Sequence, residues 1–315
     1  MGLLNFLRHR LHHDRDMRAR LNGLHNQLDR LENDIESLKT QNLVNTLQGK
    51  TLCCHEPGIS TERYCAHDII VSLTTFGTRI DKVHLPIESI MQGTVKPNRI
   101  ILWLSEEEYT DGQIPQTLKL QQKRGLEVRF CKDCRSYTKL IPTLAHYPDD
   151  AVITVDDDAL YEYDIVERLL NAHKNNPGSI CACRMHRIVL DEKNTPVDYL
   201  DWNLCISDTE VTPLNFPTGV GGVLYPPHCF SNEVLNSETF MALCPKADDI
   251  WFYAMALLNG TPSLWVATSR PQGYYRSLEL YPDSLSLSNT DARLKGNDTQ
   301  LKKVFDHYDL YKKLL

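Results

Sequence analysis

The stretch Ala151-Val152-Ile153-Thr154-Val155-Asp156-Asp157-Asp158-Ala159-Leu160-Tyr161 decides how this chain is read. An apolar, β-branched run of this length, bounded by turn formers, reads as a buried strand. It ends on three consecutive carboxylates. If the strand stays extended, alternation sends Asp156 and Asp158 to one side and Asp157 to the other. Two carboxylates aimed the same way raise each other's pKa unless a cation sits between them. Hard oxygen ligands with open positions suit Mg²⁺ or Mn²⁺. A solvated Asp-rich turn capping the next helix is the competing reading.

Working outward, strands alternate with helices from residue 68 onward. Ile69–Leu73 is a short strand followed by a Thr74–Thr78 turn, and Leu85, Ile87, Ile90 and Met91 fit a short helix. Arg99–Leu104 and Leu126–Cys131 are two more strands, separated by a helix around 116–124 that Gly125 ends; a further helix spans about 163–174. This alternation means βαβ units, a largely parallel sheet and an α/β domain over 68–315. In such sheets ligands bind outside the carboxyl ends of the strands, where Asp156–Asp158 fall.

Two later motifs bear on chemistry. Cys244-Pro245-Lys246-Ala247-Asp248-Asp249-Ile250-Trp251 opens an apolar helix. One of Asp248 and Asp249 would serve as its N-cap. A carboxylate at that place could equally take the proton of an acceptor hydroxyl. Between the acidic sites, Thr218-Gly219-Val220-Gly221-Gly222 either lets backbone approach a ligand or forms a plain turn. It is not a Walker loop, because no Gly-Lys-Ser/Thr follows.

Composition narrows the field. With 315 residues, 42% hydrophobic and 24% charged, the chain is globular and long enough to bury a core without staples. A net charge of −7 argues against a nucleic-acid binder. The ten cysteines do not form paired sets at zinc spacing; a cluster of Cys53, Cys54, Cys65, His55 and His67 is the one zinc alternative, against reduced and mostly buried thiols. Residues 1–50 stand apart. Met17, Leu21, Leu24, Leu28, Leu31, Ile35 and Leu38 make a heptad seam, expected to pair copies of the chain as a coiled coil, or else to lie on the domain as one amphipathic helix. Ahead of the seam, Leu3, Leu4, Phe6, Leu7 and Leu11 beside Arg8, Arg10, Arg15, Arg18 and Arg20 could rest on an anionic membrane surface. Residues 51–67 read as a linker. Without an h-region or a spanning apolar run, the chain reads as cytoplasmic, with peripheral contact at the inner face of the membrane.

Taken in order, Ser72-Leu73-Thr74-Thr75-Phe76, Lys139 within Ser136-Tyr137-Thr138-Lys139-Leu140, Asp156-Asp157-Asp158, Gly219-Val220-Gly221-Gly222 and Asp248-Asp249-Ile250-Trp251 resemble the motifs of GT-A-fold glycosyltransferases. The chain is similar to the family-2-like bacterial enzymes that build lipopolysaccharide, O-antigen or capsule sugars, over roughly residues 68–270. The resemblance implies a Rossmann-like nucleotide-binding mixed sheet flanked by helices. It implies a nucleotide-sugar donor, with a UDP-hexose expected, and a glycan or lipid-linked glycan acceptor. Thr74, Thr75 and Arg79 would hold base and ribose and Lys139 the donor; Asp156 would lie near the ribose and, with Asp158, hold the Mn²⁺ or Mg²⁺, with Asp157 assisting either. Asp249 would be the base of an inverting reaction. The family's usual pair is Glu-Asp, so Asp248 stays a candidate for the same role. His307 is a weak candidate for the metal, and Lys295-Gly296-Asn297-Asp298 could close over the diphosphate.

Two rivals remain. A sugar-nucleotidyltransferase would want a loop rich in Gly and Arg/Lys after the first strand, and Thr74–Arg79 is poor in both. A coiled-coil scaffold with a degenerate transferase domain is opposed by the retained Asp156, Asp158 and Asp249.

Overall fold

The computed structural model describes residues 2–268, 275–278 and 296–315, with side chains described over 22–268, 276–278 and 296–315. The chain divides into two compact units, Met1–Gly49 and Lys50–Leu315. Helix α1 (Gly2–Cys53) is continuous over 52 residues; its residues up to Gly49 form the first unit and its last four belong to the second. Within it Leu24, Leu28, Leu31, Ile35 and Leu38 are 49–64% exposed, so the described part of the heptad seam faces outward. Among the described residues no helix is long and apolar enough to cross a membrane.

The second unit is built on a mixed sheet. Strands β1 (Ile69–Thr74), β2 (Arg99–Ser105), β3 (Leu126–Cys131) and β4 (Ala151–Thr154) are mostly apolar and, apart from β3, nearly fully buried. That is the pattern of strands covered on both faces. β4, β1, β2 and β3 lie side by side and parallel. On the other flank of β4 come β9 (Val223–Tyr225), β6 (Ile180–Ala182) and β10 (Ser263–Trp265). β9 runs antiparallel to both its neighbours, which makes the seven-stranded sheet mixed. Short pairs flank it: β5 (Ala159–Tyr161) with β11 (Tyr275–Ser277), and β7 (Met185–Arg187) with β8 (Asn215–Pro217). The α/β sheet expected from strand–helix alternation is thus present.

Helices cover both faces. Alternation along β1 sends Ile69, Val71 and Leu73 toward a core shared with α2 (His84–Met91), α3 (Gln116–Gln122) and α5 (Ile165–Asn175). A second core, on Val152, Ala182, Val223 and Tyr225, is filled by α7 (Asp248–Asn259) and α8 (Gly296–Tyr308), with α4 (Ile141–His146) and α6 (Ser237–Leu243) beside it. Residues 250–256 of α7 are buried without a break, as a helix apolar on all sides must be. Its end is set by Gly260 at φ 77°, the left-handed C-cap that glycine adopts without a Cβ clash.

One buried charge ties the first core together. Glu88 of α2 is fully buried and receives both Arg124 (2.8 and 2.9 Å) and Gln121 (2.9 Å), with Gln92 at 2.7 Å and Thr51 at 3.3 Å. A buried carboxylate survives only when its lone pairs are filled in this way. All ten cysteines are free thiols, but only Cys181, Cys183, Cys229 and Cys244 are fully buried, fewer than the sequence reading expects.

Candidate active site

A cleft of 1360 Å³ opens at the carboxyl edge of the sheet, lined among others by Thr74, Thr75, Arg79, Lys139, Asp156, Asp157, Asp158, Asp248 and Asp249. The topology explains the gathering. β1 and β4 are parallel neighbours, so both deliver their last residues to the same rim.

The aspartates do not follow strand alternation. β4 ends at Thr154, and Asp156–Asp158 lie beyond the ladder in the turn before β5. Asp157 is buried against β1, accepting from Thr75 Oγ1 at 2.6 Å and from Arg79 at 2.8 Å. Asp158 accepts from the same Arg79 nitrogen at 3.1 Å. Asp156 turns the other way, 3.3 Å from Lys139 Nζ, while Tyr161 Oη accepts its backbone N–H at 2.8 Å. The expectation that Asp156 and Asp158 share a side against Asp157 is therefore corrected: the extended backbone it required stops two residues too early. Thr74 points into the sheet rim, donating to the Trp103 carbonyl at 2.9 Å. Of the two threonines, only Thr75 touches the acidic cluster.

Lys139 joins the two acidic sites. Its ammonium is 3.0 Å from Asp248 Oδ2 as well as 3.3 Å from Asp156 Oδ1. Burial disfavours that charge, but Asp156, Asp248 and Asp249 outweigh burial and hold the Lys139 pKa well above the ordinary lysine range. Its backbone is anchored from the sheet: Ser72 Oγ donates to the Lys139 carbonyl at 2.7 Å and meets Thr143 Oγ1 at 2.7 Å. The 3₁₀ turn Arg135–Lys139 is fixed at its other end by Tyr137, which stacks on Phe240 with ring centroids 4.1 Å apart and donates to the Cys244 carbonyl. Cys244 in turn bonds the Ala247 carbonyl, just before the acidic pair.

Asp248 and Asp249 are not caps. Ala247 occupies the N-cap of α7, and the two aspartates are its first helical residues, where negative charge favours the helix dipole. Asp249 Oδ1 accepts the Gly219 N–H at 2.9 Å. Burial pushes the Asp249 carboxyl up to about 7, the charge of Asp248 adds to that, and Lys139 and the Gly219 N–H pull against it. Gly219 is required for space: a Cβ there would lie 2.7 Å from Lys139 Nζ and 2.8 Å from Asp249 Oδ1. Gly221 and Gly222 have φ of 100° and 97°, which the turn into β9 demands. The glycine string is thus both a turn and a wall of the cleft.

The donor chemistry suits a hard divalent cation. Six aspartates and Glu108 line the cleft with Arg79, Arg135, Lys139, Arg184 and Lys246, so carboxylates outnumber the basic side chains. One or two carboxylates completed by phosphate oxygens and water is the usual way Mg²⁺ is held. Asp156 and Asp158 supply carboxylate oxygens of that kind, although in this structure one is paired with Lys139 and the other with Arg79.

No family model and no curated protein sequence matches the chain. Among solved structures it is similar to residues 1–349 of TarS from S. aureus, at TM-score 0.44 and 14% identity over 76% of this chain and 71% of that one. A TarS structure in complex with UDP-GlcNAc gives TM-score 0.46 and 13% identity, over 77% and 73%. The mannosyltransferase PcManGT from Pyrobaculum calidifontis, in complex with GDP-Man and Mn²⁺, gives 0.47 and 14%, over 88% and 81%. The likeness concerns the fold alone.

The cleft also holds residues that the sequence reading missed. Arg184 and His186 follow β6, and Arg184 donates to Thr218 Oγ1 at 3.1 Å. His186 accepts the Cys205 N–H at 2.9 Å, and burial, helped by Arg184, lowers its pKa to about 4, so the ring is neutral. Arg135 lines the same cleft at φ 58°, an unusual backbone for a residue with a side chain. Arg184 sits just past β6 at the sheet's carboxyl edge, but a three-residue strand shows no period by which the sequence could mark it. Of the weaker candidates, Asn297 lines the cleft and Asp298 is taken up by the Tyr199 N–H at 2.6 Å. Lys295 lies outside the described residues. His307 lies late in α8 against Tyr308 and is not among the cleft residues.

Proposed function

We propose that this chain is a metal-dependent inverting glycosyltransferase that moves a hexose from a UDP-sugar to a hydroxyl of a growing surface glycan, lipid-linked or free. The observation that carries this reading is the meeting of Asp156–Asp158 and Asp248–Asp249 across one cleft through Lys139, with the Asp249 carboxyl near pKa 7.

Thr75 and Arg79 brace the acidic turn, and with Thr74 they form the wall on which base and ribose rest. Asp156 and Asp158 would hold Mn²⁺ or Mg²⁺, with Asp157 fixing Arg79 beside them. Once bound, the ion would neutralise diphosphate charge and so make UDP a better leaving group. Lys139, kept charged by its carboxylates, adds a donor to the same diphosphate. Asp249 accepts the proton of the acceptor hydroxyl as its oxygen attacks the anomeric carbon. The bond to UDP breaks on the opposite face, and its electron pair leaves with the diphosphate, so configuration inverts. A base with a pKa close to the working pH combines availability with driving force. Asp248 supports it by pairing with Lys139. Outside the cleft, the exposed heptad of α1 joins copies of the chain into a homo-oligomer, and its basic start rests on the inner face of the membrane.

The test is a panel of UDP- and GDP-hexoses incubated with and without Mn²⁺, with products followed by NMR. The reading expects metal-dependent release of the sugar with inverted anomeric configuration. Retained configuration would remove Asp249 as the base, and equal turnover in excess chelator would remove the metal.

A further inference from the structure

A second cluster lies at the other end of β1. Cys65, His67 and His173 place one potential ligand atom each within 4.8 Å of one another, and among the described residues no other three His, Cys, Asp or Glu groups do so. The two imidazoles meet Nε2 to Nε2 at 2.9 Å, with their rings 5.1 Å apart and tilted by 55°. Cys65 Sγ donates to the His67 carbonyl at 3.2 Å. His173 is almost fully buried at the carboxyl end of α5, while Cys65 and His67 are half-buried in the segment entering β1. The hydrogen bond between the two Nε2 atoms requires at least one of them to present a lone pair.

We infer that Cys65, His67 and His173 form a Zn²⁺ site separate from the transferase cleft. A tetrahedral zinc with Zn–N near 2.0 Å and Zn–S near 2.3 Å separates two nitrogens by about 3.3 Å and a nitrogen from sulfur by about 3.6 Å. The observed nitrogen pair needs to open by only a few tenths of an ångström. One thiolate and two imidazoles suit Zn²⁺ and not Mg²⁺ or Mn²⁺, which prefer the carboxylates of the cleft. On binding, the Cys65 thiol gives up its proton to solvent and the sulfur bonds as thiolate. The proton shared by the two Nε2 atoms passes to solvent while that ring takes one at Nδ1, so both Nε2 lone pairs bind the ion; water takes the fourth position. His67 precedes β1 by two residues, and β1 is about 17 Å long before it reaches the cleft at Thr74. The site therefore pins the entry to the central strand against α5. Its role is to hold the sheet together.

The test uses the full chain, stripped with chelator and titrated with Co²⁺ alone. One equivalent should produce a thiolate-to-cobalt charge-transfer band with tetrahedral d–d absorption, and Zn²⁺ should displace both. The band should be absent in C65S and present in D158N, which separates it from any ion in the cleft. Zn²⁺ at a hundredfold excess over its Kd should raise the wild-type Tm by roughly 5 °C. It should also shield Cys65 from alkylation. H67Q, which keeps a polar side chain, serves as the second variant and should weaken Co²⁺ binding at least tenfold. A missing charge-transfer band in the wild type, or one that survives in C65S, would overturn the site and leave the two histidines as a hydrogen-bonded pair. Neither result bears on transfer activity, so failure here is distinct from failure of the proposed function.

Discussion

At the scale of single residues, Asp249 carries the sharpest consequence. Its carboxyl binds a proton more tightly in the folded protein than in the unfolded chain, with a pKa raised from 3.8 to about 7. The stability this contributes is complete below about pH 4 and is lost as pH rises through 7. Asp249→Asn keeps an oxygen for the Gly219 N–H and removes the charge. It should match the wild type below pH 4 and exceed it by about 1 kcal/mol at pH 8, allowing for partial exposure, a Tm gain of a few degrees in thermal melts. The same variant should lose at least a thousandfold in kcat, a loss of base catalysis together with local charge. In the wild type, kcat/KM should fall on the acid side with an apparent pKa near 7. Gly219→Ala should cost activity by forcing Lys139 and Asp249 apart, since its Cβ would overlap both. Steady-state kinetics should show at least a tenfold drop in kcat. Asp158→Ala should abolish metal-stimulated transfer while circular dichroism shows the fold retained, because Asp158 lies in a turn outside every ladder.

At the scale of elements, the buried ion pair and the terminal positions of the strands decide most. Glu88→Ala leaves Arg124 buried without a carboxylate, and it should destabilise the domain by about 3–5 kcal/mol in urea unfolding. The long strands were legible because β-branched runs such as Ile69–Thr74 and Arg99–Ser105 are bounded by turn formers. Their carboxyl ends located Asp156–Asp158, whereas Thr74, Thr75 and Arg79 came from the resemblance. What was not legible follows from short elements. β6, β7, β8 and β9 have three residues each, too few to show a period, so Arg184 and His186 went unread. β4 ends at Thr154, two residues before Asp156, and that was enough to undo the alternation of the aspartates. The N-cap of α7 was misplaced because Asp usually caps, whereas here Ala247 does and Asp248 is spent on Lys139.

At the scale of the molecule, the first unit is a helix whose apolar seam is exposed over its described part, Leu24 to Leu38, and the second is a domain with its own cores. Exposed leucines at heptad spacing favour self-association over solvent. Leu28→Asp with Leu31→Asp should lower the oligomeric state seen by light scattering and leave transfer per chain within about twofold, since neither residue lies in the cleft. An unchanged mass would contradict self-association through this seam. The central claim concerns the cleft, and a crystal structure with a UDP-hexose and Mn²⁺ tests it most directly. Anomalous density for manganese should lie between Asp156, Asp158 and the diphosphate, with the anomeric carbon facing Asp249. Nucleotide bound away from that rim, or a diphosphate there with no manganese beside it, would contradict the account.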